Sequence, residues 1–439
     1  MDCADKFEEA KAHDLVSFAV VCRPRAALTL DDFHTKLSLE TLQDFLPTEN
    51  VQAEVAQQLR HFGFEVFDKA PSPVVSGRGS VELFQSVFHV DVQKRSREVK
   101  KSKSRRIITS IVRRQNSARA LPPRDMPALL VAVVHRPMFI DQILPPETGV
   151  FELHLPGDIA QLTRSSATHR EIHGGSRATG GGVPVAVIDS GFARHPYYRD
   201  HAYNVMPLAA PDTSNPEDDV DSHGTAILST LFACAPDVAA YAIKHGEDAA
   251  LAIAYALALR PRPRVISLSF SDDLSGFTQL PDELLPLRLA ILVAVFFGVI
   301  VVAGAGNGQK SFPGVLPEVI SVGGVKVDGY DHLTKWPDSS SYTSNIFVGR
   351  TVPDLCGIAS EMLRPIPPDE PKGPFDWDPG PGGTSSATPQ IAGICALLLQ
   401  KTPSLTPSAV RFALQNKARP IGAGTGSGLV DALRAWNSV

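Results

Sequence analysis

Five short, uninterrupted apolar runs organise the second half of this 439-residue chain: Val183 to Ile188, Val238 to Ile243, Val265 to Leu268, Val299 to Ala303 and Val319 to Val322. Helical segments separate most of them. A strand that is apolar at every position, rather than at alternate ones, must be covered on both faces. The runs therefore predict a parallel sheet with helices on each side, an α/β architecture. The stretch Leu289 to Ala303 fits as a buried helix leading into a buried strand, with Gly298 near the break. It is too short for a membrane span, which takes about 18 residues or more.

The first 150 residues read as a smaller α+β unit. Leu15 to Cys22 is strand-like, and Val51, Val55 and Leu59 share one helical face. Phe64 to Phe67 reads as extended, Ser76-Gly77-Arg78-Gly79 as a turn, Ser80 to Phe88 as a helix, and His89 to Val92 and Met126 to His135 as strands. Residues 136 to 182 are broken by Pro145, Pro146, Gly157, Gly174-Gly175 and Gly180 to Gly182, which predicts a connecting stretch. The expected division is 1–150, a linker at 151–182 and an α/β domain at 183–439; a chain this long ordinarily forms two domains.

Charge and composition exclude several classes. The net charge of −5 gives no pull toward nucleic acid or membrane. Twelve Lys or Arg lie between Lys94 and Arg124 with Glu98 as the one acid, but no aromatic residue interleaves them. The run is expected to be a solvated loop, with docking on acidic parts of the chain as the lesser reading. Five scattered cysteines without a CxxC pair predict neither a disulfide framework nor a zinc site. The N-terminus has no positive leader followed by an apolar core, so a cytoplasmic location is expected.

Three distant segments carry chemistry. Asp189 ends the run Val185-Ala186-Val187-Ile188, where a carboxylate can fix an imidazole tautomer. His223, before Gly224-Thr225 and a helical run, is placed as a proton shuttle. Ser385, in Gly382-Gly383-Thr384-Ser385, precedes a strongly apolar helix whose positive end favours a developing oxyanion. A serine hydroxyl needs such a base to become a nucleophile. Ser386 lies about 100° further round that helix. Asn307, in Ala303-Gly304-Ala305-Gly306-Asn307, is either an oxyanion donor or a turn asparagine. Asp212, Glu217, Asp218, Asp219 and Asp221 form an acidic stretch expected to be a solvated loop, with a bound cation or a preference for basic substrates as the alternatives.

Together these segments resemble the subtilisin family of serine proteases, over residues 160 to 439. Val-Ile-Asp-Ser-Gly, His-Gly-Thr, Ala-Gly-Asn and Gly-Thr-Ser-x-Ala-x-Pro each match, and 34 and 162 residues separate Asp189, His223 and Ser385 in turn. The resemblance implies a subtilisin-like, doubly wound, mostly parallel sheet. It implies a triad of Asp189, His223 and Ser385 with Asn307 in the oxyanion hole. It also implies substrate binding along Ser267, Leu268, Ser269, Phe270 and Ser271 and at Gly304, Ala305 and Gly306. Ser269-Phe270-Ser271 stands where Ser-Leu-Gly is usual, which would narrow or reshape the primary specificity pocket. No calcium-site pattern is evident, and no cofactor is expected. The N-terminal part is similar to the activation prodomain of sedolisin-type proteases, implying a ferredoxin-like inhibitor that is cut in the linker. The expected function is a self-processing serine endopeptidase acting on protein or peptide, with a narrow intracellular processing enzyme as its finer reading, its own prodomain as intramolecular inhibitor and no nucleic-acid or membrane partner. The alternative is a catalytically silent binding or scaffold protein on a protease fold.

Overall fold

A computed structural model describes residues 5–68, 72–100, 105–137, 152–329, 332–368, 374–380 and 382–439. In the N-terminal region the order is β1 (Lys6–Glu9), β2 (Leu15–Cys22), α1 (Val51–Phe62), β3 (Glu65–Phe67), β4 (Val74–Ser80), α2 (Val81–Phe88), β5 (Val92–Lys100), β6 (Arg105–Arg113) and β7 (Ala128–Val133). Strands β3-β4-β2-β7 form one antiparallel sheet. With α1 and α2 this is a βαββαβ, ferredoxin-like unit. Strand β2 alternates its loyalties. Phe18 and Val20 pack on Val55, Leu59, Phe84 and Phe88 of the unit's own helices. Ala19 and Val21 face the other way, into a core shared with the rest of the chain.

Two expectations change here. Ser76 to Gly79 is not a turn but part of β4. A Cβ on Gly77 would sit 2.6 Å from the Phe18 ring, and one on Gly79 2.5 Å from the Phe64 ring. The glycines make room for aromatic rings lying across the strand. The basic run is likewise not a loop: β5 and β6 pair along nine residues, and β1 adds to β5. Arg113 and Arg119 then reach Glu283 and Asp282 of the α/β domain, at 2.6 and 2.5 Å. These contacts favour the lesser reading, docking on acidic groups.

The α/β domain contains β8 (Pro184–Asp189), β9 (Val205–Ala209), α3 (His223–Cys234), β10 (Ala239–Lys244), α4 (Ala249–Ala258), β11 (Val265–Leu268), α5 (Leu285–Phe296), β12 (Ile300–Gly304), β13 (Ile320–Val327), β14 (Leu333–Lys335), β15 (Leu355–Ile358) and α6 (Gly383–Lys401). The sheet runs β9-β10-β8-β11-β12-β13 in parallel; β13 also pairs with antiparallel β14 and parallel β15. Val185 and Val187 face α3 and α6, through Ile227, Leu231, Ile391 and Leu398. Ala186 and Ile188 face α4 and α5. The stretch before the sheet is more structured than its glycines suggested. Short helices span Gly157–Leu162 and Ser165–Thr168, and Leu153, Ile159, Leu162 and Ala178 enter the same core. Residues 138–151 lie outside the described part. Cys22, Cys234, Cys356 and Cys395 are buried free thiols. No helix among the described residues is long and apolar enough to cross a membrane.

Candidate active site

Strand β8 ends on Asp189, fully buried. Its Oδ1 lies 2.7 Å from His223 Nδ1 and accepts from the Ser190 amide at 2.8 Å. His223 opens α3 behind Ser222, whose φ of +61° turns the chain into the helix. Gly224 is what allows this approach: a Cβ there would lie 2.2 Å from the Gly191 carbonyl. Ser190 ties strand and helix together, since its hydroxyl accepts from the Gly224 amide at 2.9 Å and donates to Asp219 at 2.6 Å. Burial pushes Asp219 up to about 6. Asp219 also accepts from the Thr225 amide at 2.8 Å. Asp219 is thus an internal brace for the His223 turn, not part of a solvated loop.

Ser385 lies in the first turn of α6, where backbone amides have no intrahelical partner. Pro389 lies inside this helix rather than at its first residues. It has no N–H to offer the Ser385 carbonyl four residues back. That carbonyl accepts from Ser269 Oγ instead, at 2.9 Å. In return Ser385 Oγ donates to the Ser269 carbonyl at 3.2 Å, and among the described residues it does not bond to His223. Ser386 is fully buried, with its hydroxyl 3.3 Å from Arg364.

Asn307 is oriented by donors that leave no choice of flip. The Thr384 amide can only donate, and it reaches Asn307 Oδ1 at 3.1 Å; the Thr384 hydroxyl reaches the same oxygen at 2.7 Å. Asn307 Nδ2 must therefore point away from them. Asn307 and Ser385 line one recess, together with Ser269, Phe270, Ser271, Gly304, Gly306, Gln309, Ser311 and Thr384. Gln309 closes part of it by donating to Ser271 Oγ at 2.9 Å, while its carbonyl oxygen accepts from the Asn307 amide at 2.8 Å. Sequence reading gave Gln309 and Thr384 no role, though Thr384 lies within one motif and Gln309 two residues beyond another. Asp189 and His223 do not line the recess, nor do three of the predicted substrate-binding residues. Ser267 and Leu268 lie in β11, whose two edges are taken by β8 and β12, so no substrate strand can add there. The Ala305 amide is bonded to the Val322 carbonyl.

His245 lies behind Asp189, its amide donating to the Asp189 carbonyl at 3.1 Å. Burial, and then the Arg136 charge, hold its imidazole down at about 4, so it is neutral near pH 7. The remaining acids of the predicted loop are committed to the protein: Asp212 to the amides of Gly246 and Asp248, Glu217 to Arg194, Asp218 to Lys244 and Asp221 to Arg136. Among the described residues no group of three or more His, Cys, Asp or Glu is placed to hold a metal ion.

The model of the subtilase family matches residues 180–433. Subtilisin from Bacillus pumilus is 30% identical over 308 residues, covering 64% of this chain and 98% of its own. Subtilisin Savinase from Lederbergia lenta is 28% identical over 298 residues, or 63% of this chain and 97% of its own. The crystal structure of MycP1 with the N-terminal propeptide removed aligns at 21% identity with a TM-score of 0.48, over 63% of this chain and 96% of that one. The chain belongs to the subtilase family. It is a serine endopeptidase.

Proposed function

We propose that Asp189, His223 and Ser385 form the catalytic triad of a self-processing endopeptidase, with Asn307 and the Ser385 amide holding the oxyanion. The reading rests on one observation above others: a fully buried carboxylate bonded at 2.7 Å to an imidazole at a helix N-terminus. Asp189 fixes the tautomer with the proton on Nδ1, leaving Nε2 as the base. Ser385 Oγ turns from the Ser269 carbonyl toward His223 when substrate binds; catalytic hydrogen bonds commonly tighten only then. The hydroxyl oxygen attacks the scissile carbonyl, and His223 carries the proton to the leaving amine. Asn307 Nδ2 and the Ser385 amide meet the negative oxygen, and water then releases the acyl group.

The N-terminal region acts as a prodomain like that of sedolisin-type proteases, and is cut in the stretch 136–182. Because Leu153, Ile159 and Leu162 belong to the core of the α/β domain, the cut falls before Leu153. The recess bridged by Gln309 and Ser271 supports a narrow range of protein or peptide substrates. Mass spectrometry of the purified chain and of Ser385→Ala tests this reading. Wild type should shorten on incubation and Ser385 should take up a fluorophosphonate, while the variant stays intact. Two intact proteins, with no labelling, would end it.

A further inference from the structure

A cavity of about 920 Å³ lies at the seam between the N-terminal region and the α/β domain. Residues from His34 to Glu40 form one wall. The end of α5, the stretch around Glu318, the turn Ile346 to Val348 and the helix Pro407–Lys417 form the rest. The volume is that of a pocket for a small ligand, about 300–1,000 Å³. The cavity shares no residue with the recess at Ser385.

Its lining joins unanswered polar atoms to bare apolar surface. Three buried polar atoms of lining residues have no hydrogen-bond partner among the described residues: Arg288 Nε, Glu318 Oε2 and His34 Nδ1. Arg288 is 5% exposed, and its two terminal nitrogens hold the Phe33 and Leu37 carbonyls, so only its Nε–H remains to donate. His34 Nε2 lies 2.9 Å from Asp282, which leaves Nδ1 of the neutral ring as an acceptor. Glu318 has no ion pair among the described residues. Burial pushes its carboxyl up against the pull of the Arg288 charge, and Glu40, another lining residue, pushes the same way. Phe296, Val348 and Phe412 are exposed on the apolar side.

We infer that this cavity binds the free amino terminus of a peptide that begins with apolar residues. Two acceptors, Glu318 Oε2 and His34 Nδ1, with Glu40 nearby, call for a cation bearing several N–H groups, and an ammonium is one. Arg288 Nε calls for an acceptor beside that cation. The first carbonyl of a peptide, two bonds from its amine, supplies it. Phe296, Val348 and Phe412 then cover the leading side chains. A serine endopeptidase makes such amino termini with every cut, so the site takes a product of the chain's own reaction. Both parts of the chain form the walls, so an occupant stabilises the joined form. Water would satisfy the same three atoms but would confer no preference for a free amine.

The test uses the full-length Ser385→Ala chain, the substitution serving only to keep the chain whole. It is run near pH 7, where a peptide amine, with a pKa of about 8, is charged. The probes are leucyl-phenylalaninamide, its N-acetyl form, and phenethylamine, which has an ammonium and a ring but no carbonyl. Calorimetric titration should show the free dipeptide amide binding about tenfold or more tighter than the acetylated one, the size of one charged hydrogen bond. It should also bind more tightly than phenethylamine and raise the thermal midpoint of the chain. In Glu318→Gln, which keeps the shape and loses the charge, the ratio of free to acetylated binding should fall to near one. Phe412→Ser, at an exposed position, should weaken both dipeptides severalfold. Equal binding of the free and acetylated forms, no binding at millimolar concentration, or a lowered midpoint would each overturn the inference. So would an unchanged ratio in Glu318→Gln or an unchanged affinity in Phe412→Ser. Phenethylamine binding as tightly as the dipeptide amide would overturn it too, because the site would then read an amine and not a peptide. If Glu318→Gln does not fold, acetylation and Phe412→Ser decide the matter.

Discussion

Replacing Gly224 by alanine isolates the geometry on which the proposed triad depends. In an exposed helix interior that change gains about 1 kcal/mol of helix propensity. Here the added carbon would lie 2.2 Å from the Gly191 carbonyl oxygen, and 3.1 Å from both Cβ and Oδ1 of Asp189. Contacts below 3.0 Å are not tolerated, and the closest partner is backbone at the end of β8, so α3 must move by at least about 0.8 Å. Its first residue is His223, so the displacement falls on the Asp189–His223 bond. A misplacement near 1 Å costs about 10²-fold in rate, and Gly224→Ala should lose kcat/KM on that order. Peptide hydrolysis, the rate of fluorophosphonate labelling and thermal unfolding should be measured together. Gly157→Ala serves as the control, since nothing lies within 4 Å of its added carbon; it should stay within about twofold of wild type, as surface changes usually do. Activity of Gly224→Ala close to wild type would refute the argument. A loss accounted for wholly by unfolding would refute it equally.

Asn307→Ala should lower kcat by roughly 10²–10³-fold, the loss that removing one oxyanion donor brings in subtilisin, with little change in KM; an equal rise in KM would argue against the role. Asp248 offers a pH test. It caps α4 through the amides of Ala250 and Leu251, accepts from Ser76 of the N-terminal region at 2.5 Å, and burial pushes it from 3.8 up to about 6. The folded chain therefore holds this proton more tightly than the unfolded one, so the contribution of this group to stability is fully present below about pH 4 and is lost as pH rises to about 6. Asp248→Asn keeps the cap without the charge, and its advantage over wild type should grow from pH 4 to 7 toward ~3 kcal/mol, read by urea unfolding of the Ser385→Ala chain. Parallel pH curves would refute it. After self-cleavage the two pieces should co-elute on gel filtration, and Arg288→Met, which removes the guanidinium bonded to the Phe33 and Leu37 carbonyls, should speed their separation about 30-fold or more; fragments that separate in wild type would refute this.

The sheet was legible because parallel strands buried on both faces declare themselves locally, as Val185 to Ile188 and Val301 to Ala303 do. The positions of Asp189 and His223 at a strand end and a helix start followed from the same logic. What escaped was set by partners distant in sequence. Gly77 and Gly79 read as a turn because nothing nearby in sequence shows the Phe18 and Phe64 rings that require them. The strand character of Val92 to Lys100 depends on pairing with Arg105–Arg113 and Lys6–Glu9, which its own charges conceal. Ser267 and Leu268 lie in a motif associated with substrate, but strand order puts both edges of β11 inside the sheet. The pairing of Arg136 with Asp221 joins residues 85 positions apart, and no spacing rule reaches that far.

One signal of that long-range order is present in the sequence, where it reads only as burial. Helices α4 and α5, with sequences AALAIAYALA and LPLRLAILVAVF, are apolar on nearly every side. A helix that packs on a sheet and faces water needs one polar stripe; a helix without one needs cover on its outer face as well. That cover is the second face of the N-terminal sheet, with Ala19, Val21, Leu130 and Ala132 in the same core as Ala252, Ile253, Leu289 and Leu292. The one charge inside α5, Arg288, is spent on the carbonyls of Phe33 and Leu37 from the same region. The α/β domain was therefore shaped around its N-terminal partner, and cutting the connection removes no part of this apolar contact. On the function proposed above, separation of the two parts would begin at the polar contacts of the margin, Arg136 with Asp221, His135 with Asp272 and Ser76 with Asp248.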